Sequence, residues 1–497
     1  MRGSQPGRGV AVRGVWPPSG VFAVSSASAL RISFDIATLP PALRSRVRVL
    51  KPQAPSPAKE TSTFVLYWMR SALRAHDNPS LCVACAASKA LHLPLLVLLT
   101  VEDGRPHDTA RRHTFLLEGV RDVAAELSQR GVAVHVQVPM DGARAPAHLT
   151  LAHRASLVVT DEPFTEPWLG AVQQLARATF ASELLSVDAA CVVPCRTVAK
   201  GACSRAGSYE RATAAARSAA LESAYKDVPY DARSLPPLPP LPFASTPLDD
   251  VPALVARCAV DHSVAPLGGT RGGSVAGYAR WSAWCAGGGL KRYAATRNAV
   301  HNHAGVSRMS AYLNLGMVSP FRLARDAAAA KSSKYLNEMQ VWRELAYTFC
   351  FHHPESHASL TGLPAWAQRA LRERPQPPPA ACVSLQALSA CSSGAPLWDA
   401  LQRSLRDAGE LHNNARMTWA KQLLGWSASG EEALAKLLYL NDHFALDGQA
   451  PPSYGGLMWA LGLFSGGPNI GTRPLSGQAG RLDVAKLDAR TAALARA

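Results

Sequence analysis

The chain has 497 residues, 47% of them hydrophobic and 18% charged, a balance that excludes wholesale disorder and suits two or three domains. Its 52 lysines and arginines outnumber its 36 acidic residues, and the net charge of +16 favours a polyanionic or phosphate-rich partner without fixing the fold. The sequence has no run of eighteen uncharged apolar residues, which argues against a membrane protein.

The chain begins with a segment that lacks acidic residues. Residues 1–34 contain four arginines with several Ser and Ala, but no continuous apolar stretch of the secretory type. This composition is typical of an organelle transit peptide. We expect residues 1–35 to be a plastid or mitochondrial targeting segment or a disordered tail, with the nucleus as the alternative destination.

The N-terminal half alternates short apolar runs with helical patterns. The apolar runs predict strands at residues 64–69, 95–100, 132–138, 157–160 and 184–187. Helical periodicity fills residues 79–91, 110–130 and 166–179. This alternation predicts a doubly wound parallel sheet, which binds ligands outside the carboxyl ends of its strands. Neither a GxGxxG nor a Walker loop follows any strand, so a dinucleotide-binding dehydrogenase or a P-loop enzyme has no support.

A proline-rich break separates this half from a helical one. Residues 236–242 include five prolines and fit neither a helix nor a central strand. From about residue 250 the periodicity is helical, and eight of the eleven tryptophans lie there. We therefore expect an α/β domain at 60–195, a linker at 196–255 and an all-α domain at 256–485.

Ten cysteines are scattered along the chain. Cys82 and Cys85 form a lone CxxC in an alanine-rich helical stretch, without a second pair at zinc spacing. We expect buried thiols in a reducing compartment and no metal site.

One helical segment pairs a carboxylate with an indole. Glu338 and Trp342 lie four residues apart and share a helix face. There the ring can stack on a base while the carboxylate accepts base N–H groups. Taken alone, the pair is more typical of an ordinary amphipathic helix.

A second segment carries aromatic and charged candidates. Trp419 and Trp426 lie two helical turns apart, roughly 10 Å along the axis. That spacing suits electron hopping between indoles and equally suits a core stripe. Asp447 is predicted to pair with Arg416, because an unpaired buried charge would be costly.

Several motifs resemble the photolyase/cryptochrome family, and most closely its class II cyclobutane pyrimidine dimer photolyases. In chain order they include Leu66-Tyr67-Trp68-Met69 with Arg74-Ala75-His76-Asp77-Asn78-Pro79, Val158-Val159-Thr160-Asp161, Val187-Asp188 with Val192-Val193-Pro194, Ser307-Arg308-Met309-Ser310-Ala311-Tyr312-Leu313, Trp342-Arg343-Glu344-Leu345-Ala346 and Arg416-Met417-Thr418-Trp419-Ala420-Lys421. The similarity runs in order from about residue 60 to 480.

The resemblance implies an α/β antenna domain and an all-α domain that binds FAD. It implies that reduced FAD, excited by blue or near-ultraviolet light, sends an electron to a pyrimidine dimer in damaged DNA, which splits and returns the electron. The implied protein is a monomeric deoxyribodipyrimidine photo-lyase. The antenna domain would hold a deazaflavin, a folate or no pigment, and no residue in the sequence decides among them.

The resemblance also assigns roles by matching position. Flavin binding would fall to Tyr293, Arg297, Ser307, Arg308, Met309, Ser310, Arg343, Arg416, Asn441 and Asp447, with Asn441 beside flavin N5 and the Arg416–Asp447 pair over the ring. Lesion binding would fall to Glu338, Trp342, Met417 and Trp459, with Glu338 also catalytic. Photoreduction of the flavin would run through Trp419, Trp398 and Trp426.

The chain departs from the class II pattern at several positions. Thr418 stands where class II has Tyr, and His412-Asn413 resembles other photolyase classes. The loop that class II inserts into the DNA bubble is replaced by Phe464-Ser465-Gly466-Gly467-Pro468. Two alternatives to repair therefore stay open. One is a cryptochrome-like blue-light photoreceptor with little or no repair activity, and the other is a non-catalytic nucleic-acid-binding protein.

Overall fold

The computed structural model describes residues 33–53, 63–143, 146–222, 226–465 and 482–496. The predicted targeting segment lies outside the described residues except for its last three, of which Phe34 is buried in the core. The destination of the protein and the domain boundaries stay predictions. No helix in the described ranges is long and apolar enough to cross a membrane.

A six-stranded sheet organises the N-terminal half, in the order β1-β6-β5-β2-β3-β4. Its strands are β1 Val47–Lys51, β2 Phe64–Met69, β3 Leu95–Thr100, β4 Ala133–Gln137, β5 Ala155–Asp161 and β6 Glu183–Val187. Strands β2 to β6 run parallel, and β2 and β3 are buried along their whole length, as expected for a sheet that is covered on both faces. The five predicted strands and the doubly wound parallel sheet are confirmed.

The edge strand β1 was not predicted. It pairs antiparallel with β6, and Arg48 and Lys51 interrupt its short apolar pattern. Charged residues on a short edge strand discourage pairing with other chains, and they also weaken the sequence signal of the strand.

Six helices accompany the sheet: α1 Pro41–Arg44, α2 Pro79–Leu91, α3 Ala110–Gln129, α4 Ala147–Ala152, α5 Trp168–Arg177 and α6 Ala206–Glu222. The predicted helices are thus confirmed to within two residues at each end. The start of α2 illustrates the local cause, because the Asn78 side chain accepts a hydrogen bond from the Leu81 N–H and Pro79 occupies the first helical position. Helix α6 lies within the expected linker, whereas residues 236–242 form neither helix nor strand.

The chain beyond residue 250 is helical, as predicted. Its helices are α7 Val251–Ala256, α8 Ser274–Ala286, α9 Gly289–Thr296, α10 Ser310–Asn314, α11 Pro320–Ala329, α12 Ser333–Leu336, α13 Glu344–His352, α14 Ala365–Arg372, α15 Leu385–Ser389, α16 Pro396–Ala408, α17 Asn413–Gly425, α18 Gly430–Phe444, α19 Pro451–Ala460 and α20 Val484–Arg496. A π-helical segment, Asn337–Arg343, leads directly into α13. Such segments are rare and are frequently found at functional sites.

The cysteines behave as expected for structural thiols. All ten are free, and seven are buried. Cys191, Cys195 and Asp188 bring their ligand atoms within 4.8 Å of one another. The Asp188 carboxylate is already engaged, because it accepts hydrogen bonds from the backbone N–H groups of Ala190, Cys191 and Cys195.

Glu344 joins the loop that follows β6 to the helical half. This first residue of α13 is fully buried, and its two carboxylate oxygens accept hydrogen bonds from the backbone N–H groups of Val192 and Val193, at 2.7 and 3.1 Å. Burial raises the pKa of Glu344 to about 7, against the lowering effects of these bonds and of Arg343. The carboxyl group therefore binds a proton more tightly in the folded protein than in the unfolded chain.

We expect ionisation of Glu344 to lower the free energy of unfolding as the pH rises. The protonated carboxyl group contributes its full stabilisation below pH 4.5, the pKa of a glutamate in the unfolded chain. This contribution is lost as the pH rises to about 7, which lowers the free energy of unfolding by about 3 kcal/mol. Urea denaturation of wild type and Glu344→Gln between pH 4.5 and 8 should give a flatter pH profile for the variant. The exposed Glu373→Gln is the control. An unchanged slope in Glu344→Gln would contradict the assignment.

Candidate cofactor and substrate site

A cavity of about 280 Å³ lies in the helical half. Its wall comes from the loop that leads into α10, the π-helical segment, the start of α17 and the turn between α18 and α19. Nine of the predicted site residues line it: Tyr293, Ser307, Arg308, Met309, Ser310, Glu338, Arg343, Arg416 and Asp447. Residues that are far apart in the sequence therefore meet at one site.

The loop before α10 supplies hydroxyl groups and a constrained arginine. Ser307 and Ser310 line the cavity, and the Ser307 hydroxyl lies 3.2 Å from the hydroxyl of Tyr335. Arg308 adopts the left-handed conformation, with φ of 57°, and its Nε donates to Glu410 Oε2 at 2.7 Å. The ion pair holds the loop in a conformation that is uncommon for a residue other than glycine.

The predicted pair between Arg416 and Asp447 is present. Arg416 Nη2 donates to the two carboxylate oxygens of Asp447 at 3.0 and 3.3 Å. Arg416 Nη1 donates to Asn441 Oδ1 at 3.2 Å and to Ser453 Oγ at 2.9 Å. Arg416 is only 7% exposed, so these partners compensate a buried charge.

Asn441 has an amide group whose orientation is fixed. Its Oδ1 accepts from Arg416 and from the Ser453 hydroxyl, at 3.2 and 3.1 Å, while Nδ2 donates to Asp442 Oδ1 at 2.8 Å. Asn441 is buried and does not belong to the residues that line the cavity. Its assignment to flavin N5 stays a prediction. Ser453, which the sequence analysis did not single out, holds both Arg416 and Asn441.

Glu338 lies on the cavity wall between two cations. Its Oε1 is 2.8 Å from Arg297 Nη2 and 2.6 Å from Lys334 Nζ. Arg297 pairs with Glu338 and is not itself among the residues that line the cavity, and its assignment to the flavin stays a prediction.

The other expected lesion-binding residues lie off the described cavity wall. Trp342 is 38% exposed, which is unusual for an indole. Trp459 is half-buried, and the ammonium of Lys421 lies 5.1 Å above its ring. Met417 reaches the wall indirectly, because its Cε faces Gly456, a lining residue. Their roles stay predictions.

The three expected electron-transfer tryptophans form a contact chain. The rings of Trp398 and Trp419 are stacked with centroids 5.9 Å apart, and those of Trp398 and Trp426 meet edge to face at 5.3 Å. Trp398 Nε1 donates to the Trp419 carbonyl, and Trp419 Nε1 donates to Gln402 Oε1. Trp398, from α16, thus connects Trp419 of α17 with Trp426, which directly follows that helix.

His412 contributes an uncharged imidazole to the wall. Burial, followed by repulsion from Arg490 and Arg297, lowers its pKa to about 4. Its Nδ1 accepts from the Asn414 N–H, whereas the buried Nε2 finds no partner among the described residues. The site therefore presents one neutral nitrogen next to several guanidinium groups.

Three charged residues of the wall escaped the sequence analysis, namely Arg280, Glu410 and Arg490. Arg490 lies on α20, and its Nη2 donates to Glu410 Oε1 at 2.9 Å. No local pattern marks these residues, because they lie on three segments that only the tertiary fold brings together.

Comparison with known proteins gives consistent matches. The sequence profile of the DNA photolyase family matches residues 65–232. A protein of Oryza sativa subsp. japonica named deoxyribodipyrimidine photo-lyase is 30% identical over 436 residues, covering 84% of this chain and 83% of that protein. One of the same name from Methanothermobacter thermautotrophicus is 29% identical over 403 residues, covering 80% of this chain and 86% of that protein.

Solved structures share the fold. A cryptochrome of Synechocystis superposes with a TM-score of 0.62 and 18% identity, covering 83% of this chain and 84% of its own. An archaeal photolyase of Sulfolobus tokodaii with two FAD molecules gives a TM-score of 0.60 and 15% identity, covering 86% of this chain and 89% of its own. With relatives of up to 30% identity over most of its length, an α/β sheet domain and a helical half, this chain belongs to the photolyase/cryptochrome family.

Proposed function

We propose that this chain repairs cyclobutane pyrimidine dimers in DNA by light-driven electron transfer from reduced FAD, as a photolyase of class II type. The observation that carries the proposal is the position of Glu338. This carboxylate lies on the same cavity wall as Ser307, Ser310 and the Arg416–Asp447 pair, so a group that reads a base edge adjoins the residues expected to hold the flavin.

The photolyase/cryptochrome family binds FAD, and the residues of this cavity fit that cofactor. FAD carries an anionic diphosphate, and the wall offers hydroxyl groups from Ser307 and Ser310. Arg343 Nη2 and Arg490 Nε are buried and without a partner in the part of the chain that the structure describes, so each can donate to an anionic ligand. Reduced FAD, when bound, supplies the electron that light drives to the dimer.

The chain's own groups have separable tasks in this proposal. Arg416 is compensated by Asp447 and fixed by Ser453, so it presents an oriented guanidinium at the wall without leaving an isolated buried charge. Glu338 is held by Arg297 and Lys334 and can accept N–H groups of a pyrimidine that has been flipped out of the duplex.

Trp342 supports binding to a flipped base. An indole that is 38% exposed, four residues from Glu338, can stack on the unpaired base. We expect Trp342→Ala to weaken affinity for dimer-containing DNA by about 1–3 kcal/mol. Its thermal unfolding should change little, because Trp342 belongs to none of the hydrophobic core clusters of the described residues. Fluorescence anisotropy with damaged and undamaged duplexes measures the effect, and equal losses on both would assign Trp342 to nonspecific binding.

Illumination of the reduced protein with defined oligonucleotides tests the function. We expect dimer loss under blue or near-ultraviolet light on strands that contain a cyclobutane dimer, and none in the dark. A matched substrate with a (6-4) lesion tests the lesion class. Repair of the single strand alone would show that the base is read but that the duplex is not opened.

The same assay would reveal the alternative function, a blue-light photoreceptor without repair activity. Protein that binds FAD and undergoes photoreduction, yet leaves both lesions intact on single and double strands, is a light sensor and not a repair enzyme. Protein that binds DNA and no FAD would be the non-catalytic nucleic-acid-binding alternative. An extra absorbance band in protein purified from its native host would reveal a second, antenna chromophore.

A further inference from the structure

The last helix of the chain contributes a buried arginine to the cofactor cavity. Helix α20 packs along α16, and its Arg490 is 5% exposed and lines the cavity. Arg490 Nη1 donates to Ser404 Oγ at 3.2 Å, and Nη2 donates to Glu410 Oε1 at 2.9 Å. These two bonds fix the guanidinium plane at the wall.

Positive charge exceeds negative charge at this end of the cavity. Arg490 and Arg308 bind opposite oxygens of the same carboxylate, Glu410, at 2.9 and 2.7 Å. Arg280 also lines the cavity, where it donates to the Gly269 carbonyl and to the Thr270 hydroxyl. Two guanidinium groups therefore share one carboxylate, and the third, Arg280, bonds only neutral oxygens within the described ranges, so the positive charges of these wall residues exceed the negative charge.

One N–H donor in this cluster has no acceptor in the part of the chain that the structure describes, and it indicates which kind of ligand balances the positive charge. Arg490 Nε is buried and has no acceptor among the described residues. Buried N–H groups of a charged side chain are rarely left without an acceptor, because the lost hydration is costly. Ser307 and Ser310 belong to the same wall and add hydroxyl donors. This combination suits a doubly charged phosphate ligand.

We propose that Arg490 binds the diphosphate of FAD, so that the C-terminal helix is part of the cofactor site. The inference deepens the proposed function, because it rests on FAD being the ligand of this cavity. It makes Arg490 a cofactor-binding residue and Glu410 a positioning residue, which holds Arg490 and Arg308 toward the same ligand. The fixed fork of an arginine suits this task better than the single ammonium of a lysine.

Ligands with and without phosphate test the proposal on the apoprotein. Full-length protein is stripped of flavin, and the dissociation constants of FAD, ADP and riboflavin are measured by calorimetry for wild type, Arg490→Gln and Arg490→Lys. We expect Arg490→Gln to weaken FAD and ADP roughly ten- to a hundredfold, with little change for riboflavin. Arg490→Lys should recover only part of the loss.

The control lies on the same helix. Asp488→Asn breaks the exposed ion pair with Arg403 of α16 and so perturbs helix packing without touching the cavity wall. Its affinities should stay within about twofold of wild type. Far-ultraviolet circular dichroism of each apoprotein verifies folding, and Arg490→Lys keeps the test available if Arg490→Gln does not fold.

Two results would overturn the proposal. Unchanged FAD and ADP affinity in Arg490→Gln excludes a phosphate contact, and equal losses for riboflavin and FAD reduce Arg490 to a packing role. Neither result bears on repair, which is measured separately. Conversely, a protein that binds FAD through Arg490 and repairs no dimer would contradict the proposed function and leave this inference intact.

Discussion

Replacement of Trp398 by phenylalanine should strongly slow photoreduction of bound FAD and leave repair by chemically reduced protein unchanged. Trp398 touches both other tryptophans, with ring centroids 5.9 Å from Trp419 and 5.3 Å from Trp426. A phenyl ring preserves most of the packing but is much harder to oxidise than an indole, so it interrupts electron hopping at the middle of the chain. The photoreduction rate, followed by flavin absorbance under blue light with an external thiol, should fall roughly tenfold or more.

The control for this prediction is Trp366→Phe. Trp366 is partly buried beside Gly462 and has no ring contact with the three tryptophans in the described structure. Its photoreduction should equal wild type. Trp419→Phe should reproduce the Trp398→Phe result, because it removes the neighbour of Trp398 on α17. Wild-type photoreduction in Trp398→Phe would reassign the stacked indoles to the hydrophobic core.

Much of the fold could be predicted because its signals are local. Strand β3, Leu95–Thr100, is a continuous apolar run, and the chain forms it with the predicted bounds. Buried parallel strands and capped helices each leave a signature within about ten residues. Strand β1 lacks such a signature, because its stability comes from pairing with β6, which is far along the chain.

The site was predictable only where a compact motif carries it. Ser307, Ser310 and Arg416 belong to such motifs, and they line one cavity together with Asp447, the predicted counter-charge of Arg416. Arg490 and Glu410 lie 80 positions apart and are joined by one hydrogen bond, which no spacing rule anticipates. The ion pair of Arg297 with Glu338 was likewise not anticipated, because the two residues lie on separate segments. A local sequence pattern thus indicates the chemistry of a residue, but it does not indicate which distant residue that side chain contacts.

Asp447→Ala should cost about 3 kcal/mol or more in the free energy of unfolding and should deplete bound FAD. The substitution removes the counter-charge of Arg416, which is only 7% exposed, and breaking one side of a buried ion pair leaves an uncompensated charge. The contacts of Arg416 with Asn441 and Ser453 remain, but both partners are neutral. Urea denaturation of the apoprotein measures the loss, and the ratio of flavin to protein absorbance measures cofactor retention.

Two further variants test whether the loss of stability comes from the unpaired charge of Arg416 or only from the loss of a side-chain contact. Asp488→Ala removes an ion pair whose side chains are 30% and 42% exposed, so it should cost less than about 1 kcal/mol. The double variant Arg416→Gln with Asp447→Ala should be more stable than Asp447→Ala alone, because no guanidinium is then buried without a counter-charge. If Asp447→Ala cost no more than Asp488→Ala, solvent would already screen Arg416. The buried pair would then not be what organises this side of the cavity.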